Sequence, residues 1–360
     1  MKFQALSVAA LASLASAVSV AIDKRDSPLD VSLELTGNTE VKATIKNTGS
    51  KDLKLFKTGT FLDDSHVEKV EVFKAGEQVA FEGIRLRVST VNLEDSAFQI
   101  LKAGESIEAA FDIAIAHDMS SGGEFDVLTE GAFSYADLDS TAIAGAVAFT
   151  SNKVIAAVDG AQAGKVRRDW IDLAKRTVLQ SDCTGTRRTA TTTALTNCAS
   201  LARTAASAAV SNTAKLNDYF KSTSSSTASQ VQTVFNRIAS ECGSTTGGDS
   251  RQYCSDILGA CSGGVLAYTS PSTSQMVNCP SFFSALPATS RTCHAQTQAN
   301  TVLHEMTHLR QVKGTSDYGG YGYSFVRSLS ASQNLNHADT YTLFAQCELI
   351  LLWLLFECFC

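Results

Sequence analysis

The chain's 360 residues suffice for two domains of ordinary size, and a composition 44% hydrophobic and 18% charged excludes a disordered chain. The net charge of −6 conceals an asymmetry: residues 1–176 carry 19 Lys+Arg against 26 Asp+Glu, a balance of −7, and residues 177–360 carry 11 against 10, a balance of +1. With neither half strongly basic, no nucleic-acid partner is expected.

Residues 1–20 have the form of a secretory signal. Lys2 gives a positive start, residues 5–14 are apolar, and Ala15-Ser16-Ala17 is a small-residue cleavage pattern. The apolar stretch is too short for a stable membrane anchor, so a secreted, extracellular protein is expected. All ten cysteines fall after residue 182, which suits a disulfide-braced unit outside the cell; none of the spacings is a CxxC pair.

From residue 27 to about 150 the pattern is β-rich. Residues 31–35 and 41–45 alternate apolar and polar, with Gly37-Asn38 between them as a turn. Further strands are expected at 70–73, 79–81, 84–88 and 107–115, separated by Ala75-Gly76, Glu82-Gly83 and Ala103-Gly104. Many short strands with frequent turns predict an antiparallel sandwich. His66 and His117 stand alone and read as surface or satisfied polar residues. A dibasic pair, Lys175-Arg176, then coincides with the change in charge and cysteine content; Arg167-Arg168 and Lys24-Arg25 are further pairs. The expected division is a signal (1–20), a propeptide (21–176) removed by a dibasic-specific processing protease, and a catalytic domain (177–360).

After residue 177 the periodicity is helical, over 188–210 and again over 226–242, where Gly243 closes the run. Gly263-Gly264 followed by Val265-Leu266-Ala267-Tyr268 predicts a short hairpin, and 336–346 one more helix. Between them lies His304-Glu305-Met306-Thr307-His308, on a helix running from about 295 to Gly314. Histidines four apart on a helix lie on one face, so both imidazoles reach a single metal ion, and Glu305 projects beside it to take a proton from water. A third ligand is needed. Position 314 is Gly, not the histidine of a common extended pattern, and the first downstream glutamate is Glu348. Asp317 is the nearest candidate if Gly314 turns the chain back; the alternative is an aspartate that only caps the loop.

His304-Glu305-Met306-Thr307-His308 followed by Gly314-Thr315-Ser316-Asp317-Tyr318-Gly319-Gly320-Tyr321-Gly322 resembles the deuterolysin family of fungal secreted metalloendopeptidases, the aspzincins, and the likeness covers nearly the whole chain. The resemblance implies a β-rich antiparallel sandwich-like propeptide followed by a mainly α-helical (α+β) zincin-type catalytic domain. It implies one catalytic Zn²⁺ held by His304, His308 and Asp317, with Glu305 catalytic. Asp339 is a rival ligand or a partner orienting a ligand histidine, and His337 reads as structural or surface-exposed. Tyr321 is a candidate hydrogen-bond donor to the reaction intermediate, with Tyr318 and Tyr323 as alternatives. The resemblance further implies the disulfides Cys183–Cys254 and Cys261–Cys279; Cys198 would then pair with Cys242, and Cys293 with Cys347, Cys358 or Cys360. Residues 349–360 form an atypical tail that departs from the family.

The function expected is hydrolysis of peptide bonds in protein and peptide substrates. The resemblance adds a preference for basic proteins such as histones and protamines, and a precursor activated by cleavage after Arg176 follows from the two-part organisation. The rival expectation is a secreted zinc-binding or interaction protein that has lost proteolytic competence.

Overall fold

The computed structural model describes residues 27–171, 179–245 and 247–346. The expected signal, the Lys175-Arg176 junction, the atypical tail and the expected partners of Cys293 lie outside the described residues.

In the N-terminal half, β1 (Leu29–Leu35) and β2 (Glu40–Asn47) pair antiparallel, and their alternating burial sends Val31, Leu33, Val41, Ala43 and Ile45 inward. Short strands follow: β3 (Leu53–Phe56), β4 (Glu71–Lys74), β5 (Glu77–Gln78), β6 (Arg85–Val88) and β7 (Phe98–Leu101). Then come β8 (Ser106–Asp112), β9 (Gly123–Leu128), β10 (Glu130–Ala136), β11 (Ile143–Thr150) and β12 (Val154–Val158), before helix α1 (Gly160–Ile171). Three antiparallel sheets, ordered β1-β2-β8, β11-β10-β3-β7 and β12-β9-β4-β5, enclose a core that includes Phe61, Phe125, Phe133 and Phe149.

Two expected strands differ. Residues 79–81 do not form one: the β4–β5 hairpin turns at Ala75 and Gly76, both in the left-handed region, and Phe81 makes only an isolated bridge to His117. The run at 107–115 stops at Asp112, whose carboxylate accepts from Ala114 N and starts a 3₁₀ turn over Ile113–Ile115. His117 is buried against Phe81, and burial lowers its imidazole to about 4.

The C-terminal half is built on α2 (Gly185–Ser211), α3 (Thr213–Phe220) and α4 (Ser225–Cys242). Ala194, Ala199, Ala202, Ala205, Ala206 and Ala209 give α2 a buried face of small residues, against which α4 packs; the Cys198–Cys242 disulfide joins the two. Next are β13 (Arg251–Tyr253), β14 (Val265–Ser270), β15 (Gln275–Asn278), α5 (Pro280–Ala285) and α6 (Gln298–His308). Helices α7 (Tyr323–Ser328), α8 (Ala331–Asn334) and α9 (Ala338–Gln346) complete the described chain. Disulfides Cys183–Cys254 and Cys261–Cys279 pin the entry and the β14–β15 region, and Cys293 is also disulfide-bonded.

The hairpin expected at Gly263-Gly264 lies elsewhere. The segment before the glycines is irregular, wrapped on Asp256, whose carboxylate accepts from Ala260 N, Cys261 N and the Tyr268 hydroxyl. β14 instead turns back into β15, and its other edge is taken by β6 from the N-terminal half, giving the order β13-β15-β14-β6. The architecture is a mixed α/β fold with several antiparallel sheets. Among the described residues no helix is long and apolar enough to cross a membrane.

Candidate active site

Helix α6 begins at a reciprocal cap: the Thr297 hydroxyl accepts from Asn300 N, and the Asn300 amide oxygen accepts from Thr297 N. All eleven of its residues are buried, between α2, α9 and β14. It ends at His308, six residues before the expected Gly314, because Leu309 is already extended. Gly314, at φ +71°, then closes the return: its N–H donates to the carbonyls of Thr307 and Leu309, and Thr315 N donates to Thr307 O. Ser316 bridges to His337 ahead of α9, which brings Asp317 back over the helix face.

His304, His308 and Asp317 therefore meet, with ligand-capable atoms all within 4.8 Å of one another. His304 Nε2 lies 3.3 Å from one Asp317 oxygen and His308 Nε2 3.5 Å from the other. Both Nε2 atoms, Asp317 Oδ1 and Glu305 Oε1 are buried without a hydrogen-bond partner. Buried polar atoms left unmatched at one point are the donor set a cation completes, and two imidazoles with one carboxylate suit zinc. Each imidazole is held from behind. His308 Nδ1 is 3.0 Å from the Thr315 carbonyl, and His304 Nδ1 is 3.2 Å from Asp339 Oδ1. Asp317 thus stands on the ligand side and Asp339 on the reverse side, where its other oxygen accepts from Gly322 N.

His337 is fully buried and away from the cluster's ligand face; its Nε2 contacts the carbonyls of Asp317 and Gly320, which fixes the Asp317 loop. Of the three tyrosines, Tyr321 lies beside His304, ring centroids 6.3 Å apart, and its hydroxyl donates to the Leu86 carbonyl at 3.1 Å. Tyr318 bonds Asn336, and Tyr323 donates to Asp218.

The likeness to known proteins extends over nearly the whole chain. The profile of the deuterolysin metalloprotease (M35) family matches residues 1–351. This chain belongs to that family. It is 82% identical over 349 residues to a neutral protease 2 homolog of Phaeosphaeria nodorum, covering 96% of this chain and 98% of the relative. A neutral protease 2 homolog of Colletotrichum graminicola is 60% identical, with coverage of 96% and 98%. A solved zinc peptidase from Grifola frondosa aligns with 46% of this chain and 96% of its own, at 23% identity and a TM-score of 0.39. The chain is accordingly a metalloendopeptidase, acting on protein or peptide substrates.

In this family member, reading the sequence alone misses Thr269 and Arg87. Thr269, on β14, donates to Glu305 Oε2 at 2.6 Å and fixes the carboxylate. Its signal is a hydroxyl inside a fully buried strand beside the motif helix. Arg87 ion-pairs with Asp339 and lies 3.3 Å from His304 Nδ1. Burial pushes the Glu305 carboxyl up to about 8, against the pull of His304 and the Thr269 bond. Burial also drives His308 down to about 3, whereas for His304 it is overcome by Asp317 and Asp339, which hold the imidazole at about 9. Asp317 stays at about 2 because its two histidines outweigh burial. Burial keeps Tyr321 well above the usual phenol range, so it remains a donor.

Proposed function

We propose that the chain is a secreted, zinc-dependent endopeptidase made as a precursor. The observation that carries the reading is the convergence of His304, His308 and Asp317 beside Glu305, with their inward atoms unmatched. Zinc held there supplies Lewis acidity toward a peptide carbonyl and makes water more acidic. Glu305, braced by Thr269, takes the proton of the attacking water and passes it to the departing amine. Tyr321 donates a hydrogen bond to the carbonyl oxygen as negative charge grows on it. Asp339 keeps the His304 ring turned toward the ion.

The signal-like residues 1–20 support secretion, and the dibasic pair Lys175-Arg176 supports removal of residues 21–176. His304 and His308 are 0% exposed with the N-terminal half in place. A preference for histones and protamines follows from the family resemblance. The test is cleavage of casein and histone by residues 177–360 after a cut at Arg176 and removal of the N-terminal half. Activity should vanish on chelation and return with zinc, and a faster rate on histone should be lost at high salt. Zinc-loaded residues 177–360, freed of the N-terminal half, that cleave neither protein would leave a zinc-binding protein without proteolytic competence.

A further inference from the structure

A protease must admit an extended peptide to its metal, yet here the space beside the motif helix is filled by the chain itself. β6 lies antiparallel on β14, with Arg85 opposite Thr269, Leu86 opposite Tyr268 and Arg87 opposite Ala267. β14 is the strand that packs on α6 and holds Glu305, and its other edge is already paired with β15. Among the described residues, the edge of β14 taken by β6 is therefore where a substrate could add as a strand next to the metal-binding face.

Three contacts make β6 more than a neighbour. The Leu86 carbonyl accepts the Tyr321 hydroxyl that the mechanism assigns to a substrate carbonyl. Arg87, 1% exposed, enters behind His304 and shares Asp339 Oδ1 with His304 Nδ1. Arg85 reaches Ser316, next to Asp317, while pairing with Glu68 of its own half. The strand is tied at its end as well: Gln296, at the entry to α6, donates to Val88 O at 2.8 Å and accepts from Thr90 N at 2.9 Å.

We propose that residues 85–88 are a tethered substrate mimic, a strand seated in the substrate's place on β14 that keeps the protease shut. The idea rests on the protease reading above. Two locks hold it, the Tyr321–Leu86 bond and the Arg87–Asp339 pair. Because neither depends on the junction at 176, cutting there does not by itself open the cleft. The strand remains bound until the N-terminal half dissociates or is degraded.

The test uses the whole chain with Lys175→Ala and Arg176→Ala, loaded with zinc, and a quenched-fluorescent peptide. Arg87→Met, alone and with Arg85→Met, should raise peptide cleavage by the uncut chain roughly 5- to 30-fold, since removing the buried arginine weakens closure without stranding the Asp339 charge. A chelator should strip zinc correspondingly faster, a readout independent of turnover, and Arg87→Lys should restore part of the protection. Uncut parent as active as processed protein, or folded Arg87→Met and double variants with unchanged cleavage and zinc release, would overturn the proposal. Inactivity of zinc-loaded residues 177–360 after the N-terminal half has been removed would instead defeat the protease reading. Should the variants not fold, hydrogen exchange of the parent decides. Amides of 265–270 should stay protected after a cut at 176 and become exposed only when the N-terminal half is removed; exposure at the cut itself would overturn the persistence of the strand.

Discussion

The Arg87–Asp339 pair allows a quantitative test of how the two halves are held together. Both side chains are essentially without solvent, so each charge depends on its partners. Burial alone would raise the Asp339 carboxyl, but Arg87 and His304 hold it well below the usual carboxylate range. The two residues are not equivalent. Without Arg87, Asp339 still accepts from Gly322 N and faces His304; without the Asp339 charge, Arg87 has no anion, and its Nε already lacks a partner. Stranding a buried charge costs about 3–5 kcal/mol, whereas removing the arginine in favour of a methionine of similar volume should cost only about 1–2 kcal/mol. Hydrogen exchange of residues 85–88 in the uncut chain reads the opening free energy in place. Asp339→Asn should lower it by about 3–5 kcal/mol and Arg87→Met by about 1–2 kcal/mol, with the double variant close to Arg87→Met. Equal single effects that add to within about 0.5 kcal/mol would refute the pair as a lock.

The remaining predictions concern the cluster and its surroundings. Glu305→Gln should retain zinc by metal analysis but lose about 10²–10⁴-fold in peptide cleavage by the processed chain, as expected for a lost general base. Asp317→Ala should lose zinc in mild chelator dialysis more completely than Asp339→Ala; the reverse ranking would move the ligand to the other aspartate. Thr269→Val should keep zinc and lower kcat by roughly 10-fold, the effect of one hydrogen bond to a charged group. Glu71 supplies a pH dependence: burial first, then Glu68 and Glu130, push its carboxyl up to about 7 from an ordinary 4.5. The folded state therefore binds this proton more tightly than the unfolded one, and stability should fall as pH rises from about 4.5 to 7 and then level off, by less than about 3 kcal/mol. Thermal melts of Glu71→Gln across that range should show a flatter profile than the parent.

What could be read without the structure depended on how local the cause was. β1 and β2 are legible because each alternates cleanly and one face is buried. β11 and β12 are not, since Ala and Gly in Ile143–Thr150 and Val154–Val158 blur the alternation. The helices α2 and α4 emerge from periodicity, but α6 ends at His308, where a turn set by Thr307 and Leu309 replaces the expected helical extension. Around the metal-binding face, the proximity of His304, His308 and Asp317 follows from one helical turn and one short loop. Arg87 could not be placed in this way. Its contacts with His304 and Asp339 span 217 and 252 residues, and locally 84–88 reads only as a strand, one that sets Arg85 and Arg87 on one charged face.

That charged face is better understood as a consequence of the edge it covers. An unpaired strand edge beside a reactive centre presents open backbone donors and acceptors, which invite both substrate and unwanted partners. An apolar covering strand would close the cleft by burial alone and would be hard to remove. Arg85 and Arg87 instead tie β6 to Ser316 and Asp339, groups that belong to the metal loop and to the orientation of His304. Closure is then coupled to the geometry of the centre itself. While Arg87 is seated, Asp339 divides one oxygen between a guanidinium and an imidazole; once it leaves, that oxygen serves His304 alone. Removal of the strand thus does two things in one motion: it uncovers the substrate edge of β14 and strengthens the hold on the ring that must face the metal.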